Sequence, residues 1–228
     1  MISAWAILVA VEEGSISLET AAGQPGCTVR HLLSHAGGYA FDGDQPITRP
    51  ERSRIYSNTG IELAARAVEA STGIPFATYL HEAVIVPLGM TSSELKGSPA
   101  HGLFSTVTDL ARFGAEALSP TLIAASTAIE AFTVQFPDLA GTVPGVGVFR
   151  PCPWGLGFEI HGDKSPHWMG ITNSPQTVGH FGGSGTMLWI EPGQDIALIA
   201  LTARQFDDWR NSALRLWPQL SDAVLTAR

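Results

Sequence analysis

Two short stretches carry residue types that acyl transfer could use. Tyr56-Ser57-Asn58 sets a phenol directly before a helical pattern, and His180-Phe181-Gly182-Gly183-Ser184-Gly185 sets an imidazole before a pair of glycines. Acyl transfer requires a nucleophile, a base to deprotonate it, and donors aimed at the developing oxyanion. A tyrosine at the mouth of a helix can point its hydroxyl into a cleft, and nearby cations can lower its pKa into the range of general-base work. Gly182 and Gly183, read as the start of a strand, leave backbone N–H groups unobstructed and allow a ligand to approach closely. The blander readings are a loop aromatic with a satisfied hydroxyl, an ordinary helix cap at Asn58, and a glycine-rich turn.

Other chemistries find little support. No Gly-x-Ser-x-Gly elbow occurs, because Gly182-Gly183-Ser184-Gly185 has the wrong spacing, which disfavours an α/β-hydrolase. His31 and His35 stand four apart, as zinc ligands on a helix do, but the glutamate of His-Glu-x-x-His is missing, so His35 is read as ordering a helix end and no metal is expected. There is no phosphate or dinucleotide loop, and no cofactor is expected. The net charge of −8 with no basic run argues against nucleic acid or an anionic membrane surface as partner. Cys27 and Cys152 are too few for a disulfide framework and read as unpaired thiols of a reducing, cytoplasmic compartment.

These residues must be positioned by a packed domain, which a 45% hydrophobic and 15% charged composition permits. Ile2 to Glu13 reads as a helix buried on nearly all sides, closed by Gly14 and without a cap at its start. Thr28 caps a short helix that ends at Gly37-Gly38. Tyr56-Ser57-Asn58 opens an amphipathic helix that ends at Thr72-Gly73, and further helices run from Phe76 to Val86 and from Asp109 to Leu118. Residues 119–153 read as helix followed by loops. From Trp154 the period changes: 155–160, 186–190 and 196–201 read as strands, with 191–195 as a hairpin turn. A final helix begins near Asp207 and is expected to break or kink at Pro218. Helices first, antiparallel strands late and a closing helix predict an α+β domain.

Five segments in order resemble the serine β-lactamase and penicillin-binding-protein superfamily, in its class C-like and esterase-like branch. They are Thr28–Gly38, Tyr56-Ser57-Asn58, Pro87-Leu88-Gly89-Met90, Gly102–Leu110 and His180-Phe181-Gly182. The resemblance implies a β-lactamase/DD-peptidase-like fold, with an antiparallel sheet flanked by helices and a mostly helical subdomain. It divides the single domain into an α/β part, 1–35 with 154–228, and a mainly helical part, 36–153. By the same resemblance Tyr56 is the base or proton relay, and Asn58 bonds substrate and a catalytic lysine. His180 faces the cleft in place of the usual lysine, offering a hydrogen bond or partial positive charge. The Gly183 N–H forms half of the oxyanion hole, while Gly182 and Ser184 contact substrate. The substrate would be a small ester, amide or β-lactam.

The family's Ser-x-x-Lys belongs at the start of the first core helix, and the chain has none there. Its one literal match, Ser93-Glu94-Leu95-Lys96, follows Tyr56 instead of preceding it and reads as a solvated loop. The expectation is therefore that Met1 is an internal Met of a longer frame, with the motif, an N-terminal helix and edge strands preceding it. The 228-residue chain itself would be inactive. The alternative is a non-catalytic binding or regulatory homologue, or an inactive fragment. Losing edge strands would leave an open sheet edge, an aggregation liability.

Overall fold

A computed structural model describes residues 1–227. The first helix, α1 (Ile2–Glu12), is buried without interruption from Ile2 to Ala10, because its sequence has no polar stripe to turn outward. It ends through Glu13, with Gly14 at φ +75°. Helix α2 (Val29–Leu33) starts in a capping box in which the Thr28 N–H donates to His31 Nδ1 at 3.1 Å. Strand β1 (Arg54–Ile55) leads into α3 (Asn58–Thr72), capped by the Ser57 hydroxyl, which accepts from the Gly60 N–H at 3.0 Å. Gly73, at φ +72°, closes α3.

Helix α4 (Phe76–Leu80) runs on into a π-helical turn over His81–Ile85, so the helix expected to reach Val86 changes its hydrogen-bond pattern partway. The hairpin β2 (Glu94–Leu95) and β3 (Leu103–Phe104) precedes α5 (Val107–Leu118) and α6 (Ala125–Ala131). The stretch read as loops contains a second hairpin, β4 (Gly141–Val143) and β5 (Gly147–Phe149), with β1 pairing parallel to β4. The main sheet is antiparallel in the order β6 (Glu159–Ile160), β7 (Val178–Gly182), β8 (Thr186–Glu191) and β9 (Ile196–Ala200). Of the strand expected over 155–160, only the last two residues pair, since Gly157 takes a left-handed turn at φ +82°.

Helix α7 (Phe206–Thr226) closes the chain. Its non-helical residue is Trp209, not Pro218, which is accommodated inside the helix. No helix among the described residues is long and apolar enough to cross a membrane.

Two hydrophobic cores form. The larger surrounds α1: Trp5 lies edge-on to Phe113 at 5.8 Å and to Phe158 at 6.0 Å, with its Nε1 donating to the buried Glu116 at 3.2 Å. The smaller lies between β8, α7 and the loop before β7, and is rich in tryptophan. Beside it sits a buried polar network. Glu159 accepts from Lys164 Nζ at 2.6 Å and from Trp168 Nε1 at 2.8 Å, and lies 2.8 Å from His167 Nε2.

Elsewhere a buried guanidinium ties loops together. Arg54 donates to the carbonyls of Cys152 (2.7 Å), Gln135 (2.6 Å), Phe136 (3.0 Å) and Ser34.

Candidate active site

Tyr56 sits between β1 and the cap of α3, partly buried against the smaller core. It faces His180, which projects from the middle of β7 opposite Leu188. Their ring centroids lie 5.3 Å apart. Alternation along β7 sends His180 to this side and Phe181 to the other, where it packs on Phe206 and Trp217.

His35, at the end of α2, completes the group, 4.6 Å from Tyr56 by ring centroids. Trp154 backs all three, at 4.8 Å from His35, 6.1 Å from Tyr56 and 5.7 Å from His180. Tyr56, His180 and His35 line a small cavity of about 50 Å³ with Ala4, Ile61 and Gly157. The first turn of α1 forms one wall, and Ser3 there donates to the Pro99 carbonyl at 2.6 Å. Gly157 is required in that wall, because an added Cβ would stand 2.2 Å from Ala4 Cβ.

His35 belongs to this site, although the sequence suggested only a helix end. Its signal in the structure is a left-handed backbone, φ +56°, in a buried non-glycine residue. Three bonds hold it there: its N–H to the Leu32 carbonyl (3.2 Å), its carbonyl to the Ile55 N–H (2.9 Å), and Nδ1 accepting from the Ser57 N–H (3.3 Å). A ring nitrogen that accepts an N–H carries no proton, so the proton of His35 is on Nε2. His180 is the reverse. Its Nδ1 meets the Phe181 carbonyl, which only accepts, so Nδ1 carries the proton and Nε2 keeps its lone pair.

The charge state differs from expectation. Burial, reinforced by Asp42 and Glu159, pushes the Tyr56 phenol up to about 12, so it is protonated at neutral pH and no cation lowers it. Burial brings His180 down to about 4, which leaves a neutral imidazole at pH 7. His35 falls well below its ordinary value, also through burial and with His180 and Arg54 nearby.

The remaining residues stand apart from the cavity. Asn58 is buried at the start of α3 with its Nδ2 donating to Asp42 at 3.0 Å. Gly182 ends β7 instead of starting a strand, and Gly183 and Ser184 form the turn to β8. The Gly183 N–H makes no hydrogen bond among the described residues, and the space a Cβ would fill there is open. Its carbonyl accepts from the Phe206 N–H at 2.8 Å, which ties the turn to α7. Ser184 is exposed, 3.4 Å from the Thr186 hydroxyl.

Ser93 and Lys96 do not work together. Ser93 is bonded to Ser105 and Asp109, while Lys96 pairs with Glu94 on the surface. A larger open hollow of about 250 Å³ over residues 207–212 of α7 holds Ser212 but no imidazole or lysine beside it. Among the described residues no group of His, Cys, Asp and Glu is placed to hold a metal.

Comparison with known proteins places this architecture. The family model described as Beta-lactamase matches residues 1–217. The crystal structure of a β-lactamase from Mycobacterium bovis is similar, at 52% identity and a TM-score of 0.95, covering 99% of this chain and 83% of that one. Unliganded simvastatin synthase from Aspergillus terreus shares the fold, at 16% identity and a TM-score of 0.75, covering 98% of this chain and 81% of that one. So does an octameric penicillin-binding protein homologue from Pyrococcus abyssi, at 19% identity and a TM-score of 0.74, covering 100% of this chain and 64% of that one. A search of curated proteins found no match. The chain belongs to the beta-lactamase family and has its α+β, β-lactamase/DD-peptidase-like fold.

Proposed function

We propose that this member of the beta-lactamase family carries the proton-handling and oxyanion-binding parts of a serine-hydrolase site, for acyl transfer from a small ester, amide or β-lactam through an acyl-enzyme. The observation that carries the reading is the convergence of Tyr56 and His180, 5.3 Å apart, on one cavity at the first turn of α1. The site lies at the seam of the two parts of the domain, with Tyr56 from 36–153 and His180 from 154–228.

Each group has a role its surroundings support. Tyr56 is protonated at neutral pH in this chain; with a cation beside its oxygen, as the lysine of a Ser-x-x-Lys would be, its phenolate takes the proton of the serine as that oxygen attacks the carbonyl, and returns it to the leaving alcohol or amine as the acyl bond breaks. The Gly183 N–H, unbonded and uncovered, is one oxyanion donor, and the N–H of the attacking serine would be the other. With Nδ2 committed to Asp42, Asn58 keeps Oδ1 to accept a hydrogen bond from substrate or that lysine. Gly182 and Ser184 flank the substrate along the end of β7.

The test adds a nucleophile and a lysine ahead of α1. The 228-residue chain is expected neither to hydrolyse p-nitrophenyl butyrate nor to gain mass with a cephalosporin, because its Ser-x-x-Lys is outside the cleft. Adding Ser-Ala-Ala-Lys ahead of Met1 is expected to give a p-nitrophenol burst and a butyryl adduct on the new serine by intact-mass analysis, and Tyr56→Phe to suppress both. An adduct on a serine of the original chain, or no adduct in a folded extended chain, overturns the reading.

A further inference from the structure

We infer that His35 is the positioning residue for Tyr56: it holds the backbone on both flanks of the tyrosine and so sets the direction of the phenol. The inference rests on the acyl-transfer reading, in which Tyr56 moves the proton, and adds the residue that aims it.

Ser57 is extended (φ −144°, ψ 119°) and follows β1, so the N–H groups of Ile55 and Ser57 leave the same edge of the chain on either side of Tyr56. A single residue receives both. The Ile55 N–H donates to the His35 carbonyl at 2.9 Å, and the Ser57 N–H donates to His35 Nδ1 at 3.3 Å. An ordinary strand partner would offer carbonyls from two residues. Here the partner segment turns away, with His35 left-handed at φ +56° and the Ala36 N–H closing back on the His31 carbonyl at 2.8 Å. The imidazole stands in for the second carbonyl.

This support is itself anchored. The Ser34 carbonyl accepts from the Arg54 guanidinium, so residues 34 and 35 meet Arg54, Ile55 and Ser57 at three successive points. The same imidazole lies against the Tyr56 ring, with centroids 4.6 Å apart. A helix end asks for none of this, because the His35 backbone N–H, bonded to the Leu32 carbonyl, already closes α2. The phenol oxygen lies at the far end of a long, stiff side chain. A small turn of the 55–57 backbone therefore moves it by about 1 Å, a misplacement that costs about a hundredfold in rate.

The experiment compares His35→Asn with His35→Gln, which separates the two ends of the imidazole. Asn tolerates the left-handed backbone and carries an acceptor where Nδ1 stands, but nothing at the place of Nε2; Gln reaches the place of Nε2 and leaves that of Nδ1 empty. In the 228-residue chain, NMR is expected to show a nitrogen–nitrogen scalar coupling across the hydrogen bond from the Ser57 amide to His35 Nδ1. The Asn variant is expected to keep slow exchange at the Ile55 and Ser57 amides, and the Gln variant to speed both by about tenfold or more. Urea unfolding checks that each variant is folded. In the chain extended with Ser-Ala-Ala-Lys, Gln is expected to slow the p-nitrophenol burst about a hundredfold, with the half-saturating ester concentration within about threefold, and Asn to recover most of that loss. An Asn variant no better than Gln overturns the inference, because the imidazole would then act through Nε2. Absence of the coupling overturns it as well. Failure of the acyl-transfer reading looks different: the extended chain forms no acyl-enzyme, while the coupling and the contrast between Asn and Gln in amide exchange persist in the 228-residue chain.

Discussion

The two cores are held in different ways. Around α1 the packing is almost wholly apolar, and its buried carboxylate, Glu116, is met by neutral donors alone, from Trp5, Thr121 and Leu122. Behind β7 and α7 the tryptophan-rich core adjoins a buried carboxylate shared by a lysine, a histidine and a tryptophan. Removing a methyl group from the first leaves a void, whereas removing a charge from the second leaves an ion without its partner. The first kind of core is tolerant of pH and sensitive to volume; the second is sensitive to pH as well.

The largest effect expected is for Glu159→Ala, which strands Lys164 in a site of 4% exposure. Breaking a buried ion pair costs about 3–5 kcal/mol, so the urea midpoint should fall sharply. Replacing Glu159 with Leu and Lys164 with Met together should recover much of that loss. If the double variant is as unstable as the single one, charge is not what distinguishes this core.

Next comes Leu8→Ala in α1, fully buried, with an expected loss of about 3 kcal/mol from lost transfer energy and a residual cavity. Urea unfolding at pH 5 and pH 8 should give the same loss relative to the original chain. A loss that changes with pH would remove the contrast between the cores.

The smallest effect is the pH response of the original chain. Burial, with His167 and Lys164 beside it, holds His161 down to about 4, so the unfolded chain takes up its proton first as pH falls. That stability is complete above about pH 6.5 and is lost toward pH 4. Lys164 and His167 hold the Glu159 carboxyl far below the usual carboxylate range against the effect of its burial, and its contribution is lost as pH falls below about 4.5. As pH falls from 7 to 5, hydrogen-exchange protection, taken relative to the intrinsic rate at each pH, should therefore drop in β6 and the 161–177 loop before it does in α1. Protection lost first in α1 would contradict this assignment.

What could be read from the sequence follows from the same contrast. Helices α1, α3 and α5 announced themselves by their apolar residues, Thr28 marked the start of α2 and Gly73 the end of α3, because these signals are local; the cap of α3 is Ser57, one residue before the Asn58 that the sequence suggested. Strands β8 and β9 were visible as apolar runs around a turn. The β4–β5 hairpin was hidden, since Pro and Gly between 137 and 153 read as loop and its pairing with β1 is made across more than eighty residues. The Glu159 network was equally hidden. Lys164 and His167 lie in a segment of turn residues that looks solvated, and only the tertiary fold carries them inward. At the site, Tyr56 and His180 stood out by resemblance, while His35 offered no signal of its own: its role depends on a backbone conformation and an N–H from Ser57.

Arg54 can be regarded as an ion with a coordination shell. Its charge, which burial lowers only to about 10 and which therefore persists at neutral pH, has no carboxylate to neutralise it. Four carbonyl dipoles solvate it instead, from the end of α2, from residues 135–136 and from Cys152. If one of these segments lifts away, the cation is left under-coordinated and the remaining ligands lose their reason to stay. The three segments should therefore open as a single cooperative unit, and with them the wall that holds His35 and Tyr56.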